Sequence, residues 1–161
     1  MLSNRTSDIE KITLTSSSNS FWKQEQRKAI QSLEKQSEFT SSKIKNKPYR
    51  IYLSLESNKL VFTLKDRNEE DEQFLVLSLS PYKRIIKDYF MIIESYEAFR
   101  LSGNLSKLET IDMARRGIHD EGAERLQEQI AGKITMDYET ARCFFTLICA
   151  LYDHKIKRRI G

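Results

Sequence analysis

The chain has 161 residues, 39% of them hydrophobic, enough for one domain with a real core and too few for two comfortable ones. Its longest apolar run, Cys143 to Tyr152 (CFFTLICALY), is about half of the roughly 20 residues a membrane-spanning helix needs, and MLSNRTSDIEKITLTSSSNS at the start has no apolar stretch of signal-peptide length. The 27 basic against 23 acidic residues leave a net charge of +4, carried by Lys43, Lys45, Lys47 and Arg50 and by Lys155, Lys157, Arg158 and Arg159; an excess of this size suits solvated loops and tails, so nucleic acid is not the expected partner.

In chain order, Ile9 to Leu14 (IEKITL) alternates as a short strand, and TSSSNS (15–20) is a turn able to cap a helix. Phe21 to Phe39 has Trp22, Gln26, Ala29 or Ile30, Leu33 and Gln36 at helical spacing, which predicts a surface helix with a narrow apolar stripe. The Ser/Lys-rich link TSSKIKNKP follows. Tyr49, Ile51, Leu53 and Leu55 then share one face of a strand, and LVFTLKD beyond the connection ESNK completes a hairpin over 49–66. After the charged loop DRNEEDEQ, FLVLSL (74–79) is a strand short enough to be buried on both faces.

From Ser80 the periodicity becomes helical. Ser80 reads as an N-cap with Pro81 at the first helical position, opening a helix whose Ile85, Tyr89, Ile92, Tyr96 and Phe99 predict a wide buried face. SGN (102–104) supplies a stop and a new cap; Leu108 and Ile111 mark the buried side of the next helix, Gly132 closes it, and Asp137 caps a last helix through about Lys155. The expected fold is α+β: an antiparallel sheet of about four strands with helices packed on one face, one helix inserted early and the C-terminal half all-helical. It forms a single domain over 1–161, with a variable segment 1–48, a core 49–151 and a basic tail 153–161 whose composition allows a disordered end.

The stretch ARRGIHDEG (114–122) concentrates the chemistry: two arginines, one of two histidines, two carboxylates and two glycines. A single helix through it would carry both glycines at about 1 kcal/mol each. A break at Gly117 in the left-handed region, with Asp120 capping a new helix, accounts for the arginines, the glycine and the aspartate together and is the preferred reading. Such a corner can bind an anion, with Arg115, Arg116, His119, Asp120 and, from the preceding helix, Lys87 as ligand-binding candidates; the structural reading, set ahead of it, has the arginines pair with Asp120, Glu121 or Glu124 while His119 packs or hydrogen-bonds. For catalysis the candidates are His119 as base and Glu121 as orienter, with Lys87 or Tyr89 as a polar group from another element. No nucleophile stands out.

The two histidines and two cysteines match no zinc spacing, no calcium loop occurs, and the five glycines form no dinucleotide or P-loop motif, so neither metal nor cofactor is expected. Cys143 and Cys149 read as buried thiols of a reducing compartment, and the expected location is the cytoplasm. LSLSPYKRIIKDYFMIIESYEAFR (77–100), IDMARRGIHDEGAERLQEQIAGKITMDYETARCFFTLICAL (111–151) and, more loosely, YRIYLSLESNKLVFTLKD (49–66) resemble the blocks of a bacterial family catalogued as uncharacterised protein family 0262. Ala114 stands where that pattern has glycine and Asp120 where it has asparagine. The resemblance implies a small soluble bacterial protein and brings no activity, cofactor or catalytic residue. The expected function is a non-enzymatic binding or interaction module for a partner protein or a small anionic ligand at the 115–121 corner; the alternative is a small hydrolase or transferase acting on a phosphorylated metabolite.

Overall fold

A computed structural model of the chain describes residues 7–15 and 20–160, without the side chains of 20–22 and 153–160. Trp22, His154, the capping turn expected over 15–20 beyond Thr15 and the basic tail with its allowance for disorder therefore lie outside the described residues or side chains.

The first strand, β1 (Ile9–Leu14), is followed by helix α1 (Ser20–Lys35), a short strand β2 (Phe39–Ser41) and the strands β3 (Tyr49–Glu56), β4 (Lys59–Lys65) and β5 (Glu72–Ser78). The main sheet has the order β1-β3-β4-β5. It is mixed, not antiparallel throughout: β1 runs parallel to β3, with Ile12 opposite Ile51 and Leu14 opposite Leu53. A parallel pair needs a crossover connection of a dozen residues or more, and α1 supplies it. The hairpin is as expected, pairing Ile51 with Leu64 and Leu53 with Phe62, while β5 continues the meander against β4.

Period-two alternation puts Tyr49, Ile51, Leu53, Leu60, Phe62, Leu64, Leu75 and Leu77 on one buried face. Contrary to the expectation for 74–79, β5 is buried on one face only: Phe74 is 64% and Val76 58% exposed. Helix α1 stops at Lys35, about a turn short of the expected end, because Phe39 to Ser41 pair with β6 (Ile134–Met136) as an antiparallel ribbon. The C-terminal half is helical, as expected, apart from this one three-residue strand, β6.

A 3₁₀ turn (Ser80–Tyr82) leads into α2 (Lys83–Ser102). Ser80 lies inside this turn and is not its cap. Ile85, Ile86 and Tyr89 are buried, but beyond them Ile92, Ile93 and Phe99 are only half-buried and Tyr96 is exposed, so the wide apolar face of α2 enters the core only over its first turns. Gly103, at φ 75°, ends the helix, and Asn104 caps α3 (Leu105–Gln129) by accepting the Lys107 backbone N–H.

Helix α3 is continuous through ARRGIHDEG. The expected break at Gly117 and cap at Asp120 are absent; Gly117 is not among the positive-φ glycines. His119, Gly122, Ala123 and Leu126 form an uninterrupted buried seam, and this packing offsets the cost of two glycines. Gly132, at φ 88°, turns the chain after α3, and Asp137 accepts the Thr140 backbone N–H at 3.1 Å at the start of α4 (Tyr138–Ile160). Helical spacing in the sequence predicts Ala141, Phe144, Phe145, Ile148, Leu151 and Tyr152 as the buried face of α4; all are buried except Tyr152, which is half-buried, and Phe144 is tilted against Phe62 of the sheet and Phe39 of the ribbon.

Candidate functional site

Residues four apart share a helix face, so an unbroken α3 divides the quoted stretch instead of gathering it. Arg116 faces solvent, 74% exposed, and pairs with Asp112 at 3.0 Å. Asp120 is exposed and accepts the Tyr138 hydroxyl; Glu121 pairs with Arg84 of α2. Lys87 is exposed on α2. Of the candidate residues in this stretch, only Arg115, half-buried, and His119, buried, share one cavity wall.

His119 is 5% exposed and held in an aromatic cage. Its Nε2 lies 2.8 Å from the Tyr89 hydroxyl, and its ring meets those of Tyr89 and Phe145 edge-on, at 4.9 and 5.8 Å between centroids. Gly122 makes the close approach of α3 to α4 possible, since a Cβ there would stand 2.4 Å from Cδ1 of Phe145. Burial, then the nearby guanidinium groups of Arg142 and Arg115, pull the imidazole down to a pKa of about 4, so it is neutral at pH 7. Its Nδ1 is buried without a hydrogen-bond partner. Burial likewise raises the phenol of Tyr89 above its ordinary value, and the pair is a neutral hydrogen bond.

Beside this ring lies a cavity of about 170 Å³ between α1, α3 and α4, lined by Glu25, Lys28, Ser32, Arg115, His119, Arg142, Cys143 and Thr146 with Ala29. Its lining thus holds three cations and one carboxylate. Arg142 and Arg115 keep loose partners, Glu139 at 3.4 Å and Asp112 at 3.5 Å, leaving donors of each guanidinium for a ligand. A larger cavity of about 470 Å³ adjoins it, bounded by Gln24, Tyr89, Ile92, Ile93, Tyr96 and Glu97, with Glu25 and Arg115 on the walls of both.

Arg142, Lys28 and Glu25 escaped the sequence reading, and Cys143, expected as a buried thiol, is half-buried on the cavity wall. Their signal was present: Arg142 and Thr146 are polar residues four apart in the otherwise apolar stretch Ala141 to Tyr152, and Glu25, Lys28 and Ser32 recur at helical spacing beside Ala29. Burial raises the Cys143 thiol pKa, so it stays protonated at neutral pH. Of the basic loop cluster, Lys47 pairs with Asp8 at 3.1 Å and Arg50 with Glu10 at 3.3 Å, which removes half of the charge a phosphate backbone would meet. No group of three or more potential metal ligands occurs among the described residues, nor any helix long and apolar enough to cross a membrane.

Fold and site define a small α+β protein with a basic, histidine-backed cleft between its helices. The chain belongs to the uncharacterised protein family UPF0262, whose model matches residues 5–154 and so reaches well before the block at 49 where the resemblance began. It is 54% identical to a UPF0262 protein of Rhizobium etli and 52% identical to one of Agrobacterium fabrum, in each case over 106 residues, 65% of this chain and 67% of the relative. A UPF0262 protein of Rhodospirillum rubrum is 47% identical over 105 residues, 65% of each chain. No solved structure matches the chain.

Proposed function

We propose that the protein is a cytoplasmic, non-enzymatic binding module that holds a small anionic ligand in the cavity bounded by Lys28, Arg115, His119 and Arg142. The observation that carries this is the buried, unpartnered Nδ1 of His119 beside two guanidinium groups. A buried polar atom without a partner costs about 1–3 kcal/mol, and an anion accepting from Nδ1–H would remove that cost while taking charge-assisted bonds from the arginines.

The test is the thermal shift of the purified protein in sulfate and in phosphate, with Arg142→Ala and Arg115→Ala as site variants and Arg116→Ala as the outward-facing control. An anion at about 100 times its dissociation constant adds roughly 2.7 kcal/mol, several degrees for a domain of this size. The shift should vanish in the two site variants and persist in the control. Equal shifts in all four proteins, or none in any, would refute the reading. One observation favours the hydrolase or transferase alternative, namely the approach of Tyr89, a polar group from a different helix, to His119; turnover of p-nitrophenyl phosphate that disappears in His119→Gln would support it over simple binding.

A further inference from the structure

We infer that the two adjoining cavities form one cleft for a single amphipathic anion, whose carboxylate or phosphate head lies among Lys28, Arg115, His119 and Arg142 and whose apolar body lies against Ile92, Ile93 and Tyr96. This rests on the anion reading above and extends it to the class of ligand. Continuity comes from shared walls: Glu25 and Arg115 bound both cavities, and Tyr89, on the wall of the larger, is bonded to His119 on the wall of the smaller. The sizes differ in the required sense, about 170 Å³ for a head group and about 470 Å³ for a body, the latter within the usual range of roughly 300–1,000 Å³ for small-molecule pockets.

Of the apolar wall, Ile93 packs partly against the core, whereas Ile92 and Tyr96 stand outside it. On α2 the apolar face continues past Tyr89, its last buried residue, to Ile92, Ile93 and Tyr96, which stay half-buried or exposed around the cavity. An apolar body covering them removes that surface from water. The charges set a polarity along the cleft. The small cavity carries three cations and one carboxylate, Glu25, whereas in the large one Arg115 stands alone against Glu25 and Glu97, the latter paired with Arg100 at 2.9 Å, so a second negative group on the body meets fewer cations than the head does. The ligand class is therefore a short-chain or aromatic molecule with one anionic end.

Two homologous series separate this inference from the anion reading: inorganic phosphate, butyl phosphate and hexyl phosphate, and acetate, butyrate and hexanoate, titrated into the full chain and followed by amide chemical shifts. In at least one series, affinity should rise roughly tenfold between the four- and six-carbon members, in keeping with about 0.8 kcal/mol per buried methylene. Adipate, with a second carboxylate, should bind worse than hexanoate. In Ile92→Asn, and independently in Tyr96→Ser, the gain with chain length should disappear while the affinity for inorganic phosphate or acetate is retained. Binding of the head groups with no gain along either series would overturn the amphipathic cleft and leave the anion site standing. No binding by any member would overturn both. Sedimentation with anionic phospholipid vesicles, unaccompanied by binding of the soluble chains, would assign the surface to a membrane headgroup instead and likewise overturn the proposal.

Discussion

Two glycines five residues apart on α3 should respond in opposite directions to the same substitution. At Gly117 a Cβ would meet nothing within 4 Å, and the helix around it is regular. Gly117→Ala therefore gains helix propensity alone, about 1 kcal/mol, which raises the melting temperature by about 2–4 °C in a domain of this size. At Gly122 the new methyl would stand 2.4, 2.5 and 2.6 Å from three carbons of the Phe145 ring. That ring is itself enclosed by Tyr82, Tyr89 and His119, at centroid distances of 6.4, 6.1 and 5.8 Å, and has little room to give way. Overpacking of this kind costs about 1–3 kcal/mol, against which the same propensity gain of about 1 kcal/mol is set, so Gly122→Ala should be destabilising by up to about 2 kcal/mol. Urea denaturation of the two variants beside the parent measures both. A fall in stability for Gly117→Ala would mean that residue 117 has a positive φ and that the helix breaks there. Equal gains at both positions would mean that α3 and α4 do not approach closely at Gly122.

The histidine supplies two further predictions. A folded pKa of about 4 against an ordinary 6.5 means that the unfolded chain binds a proton more readily than the native one throughout that interval, so stability contributed by the neutral ring is complete above pH 6.5 and is lost as the pH falls towards 4. The loss between pH 7 and pH 4 is on the order of 3 kcal/mol, and the urea-derived stability of His119→Gln should fall by that much less over the same range; parallel curves for the two proteins would exclude a buried neutral imidazole. The anion reading also requires the proton on Nδ1, with Tyr89 donating to Nε2. Long-range ¹H–¹⁵N spectra at pH 7 should show a protonated Nδ1 that changes to a mixture of tautomers in Tyr89→Phe, and a ring protonated only at Nε2 in the parent would sink the proposed donor.

Local patterns were legible wherever one face of one element decided the outcome. The strands at Ile9, Tyr49 and Lys59, the stop at Gly103, the cap at Asp137 and the apolar face of α4 follow directly from alternation, turn chemistry and helical spacing. Pairing between distant segments was not. The parallel β1–β3 contact depended on recognising that the early helix is a crossover, and the ribbon of Phe39–Ser41 with Ile134–Met136 joins two three-residue strands too short to carry a period. Phe74 and Val76 show the complementary error, since a continuous apolar run does not reveal that β5 keeps one face open.

The misreading of ARRGIHDEG has a single physical origin, and it also explains where the site is. Capping and dipole arguments concern the ends of helices, and applied locally they fitted Gly117 and Asp120 well. What decides the matter is the seam of His119, Gly122, Ala123 and Leu126 against α4, a relation between segments that no local rule contains. Continuity through Gly117 then sends Arg116 and Asp120 outward, turns Glu121 towards Arg84 of α2 and leaves Arg115 and His119 on the cavity wall, which Arg142 of α4 and Lys28 of α1 share. The chemistry expected of a corner is transferred to a cleft between three helices, and four of the residues first grouped together reduce to two that share a cavity.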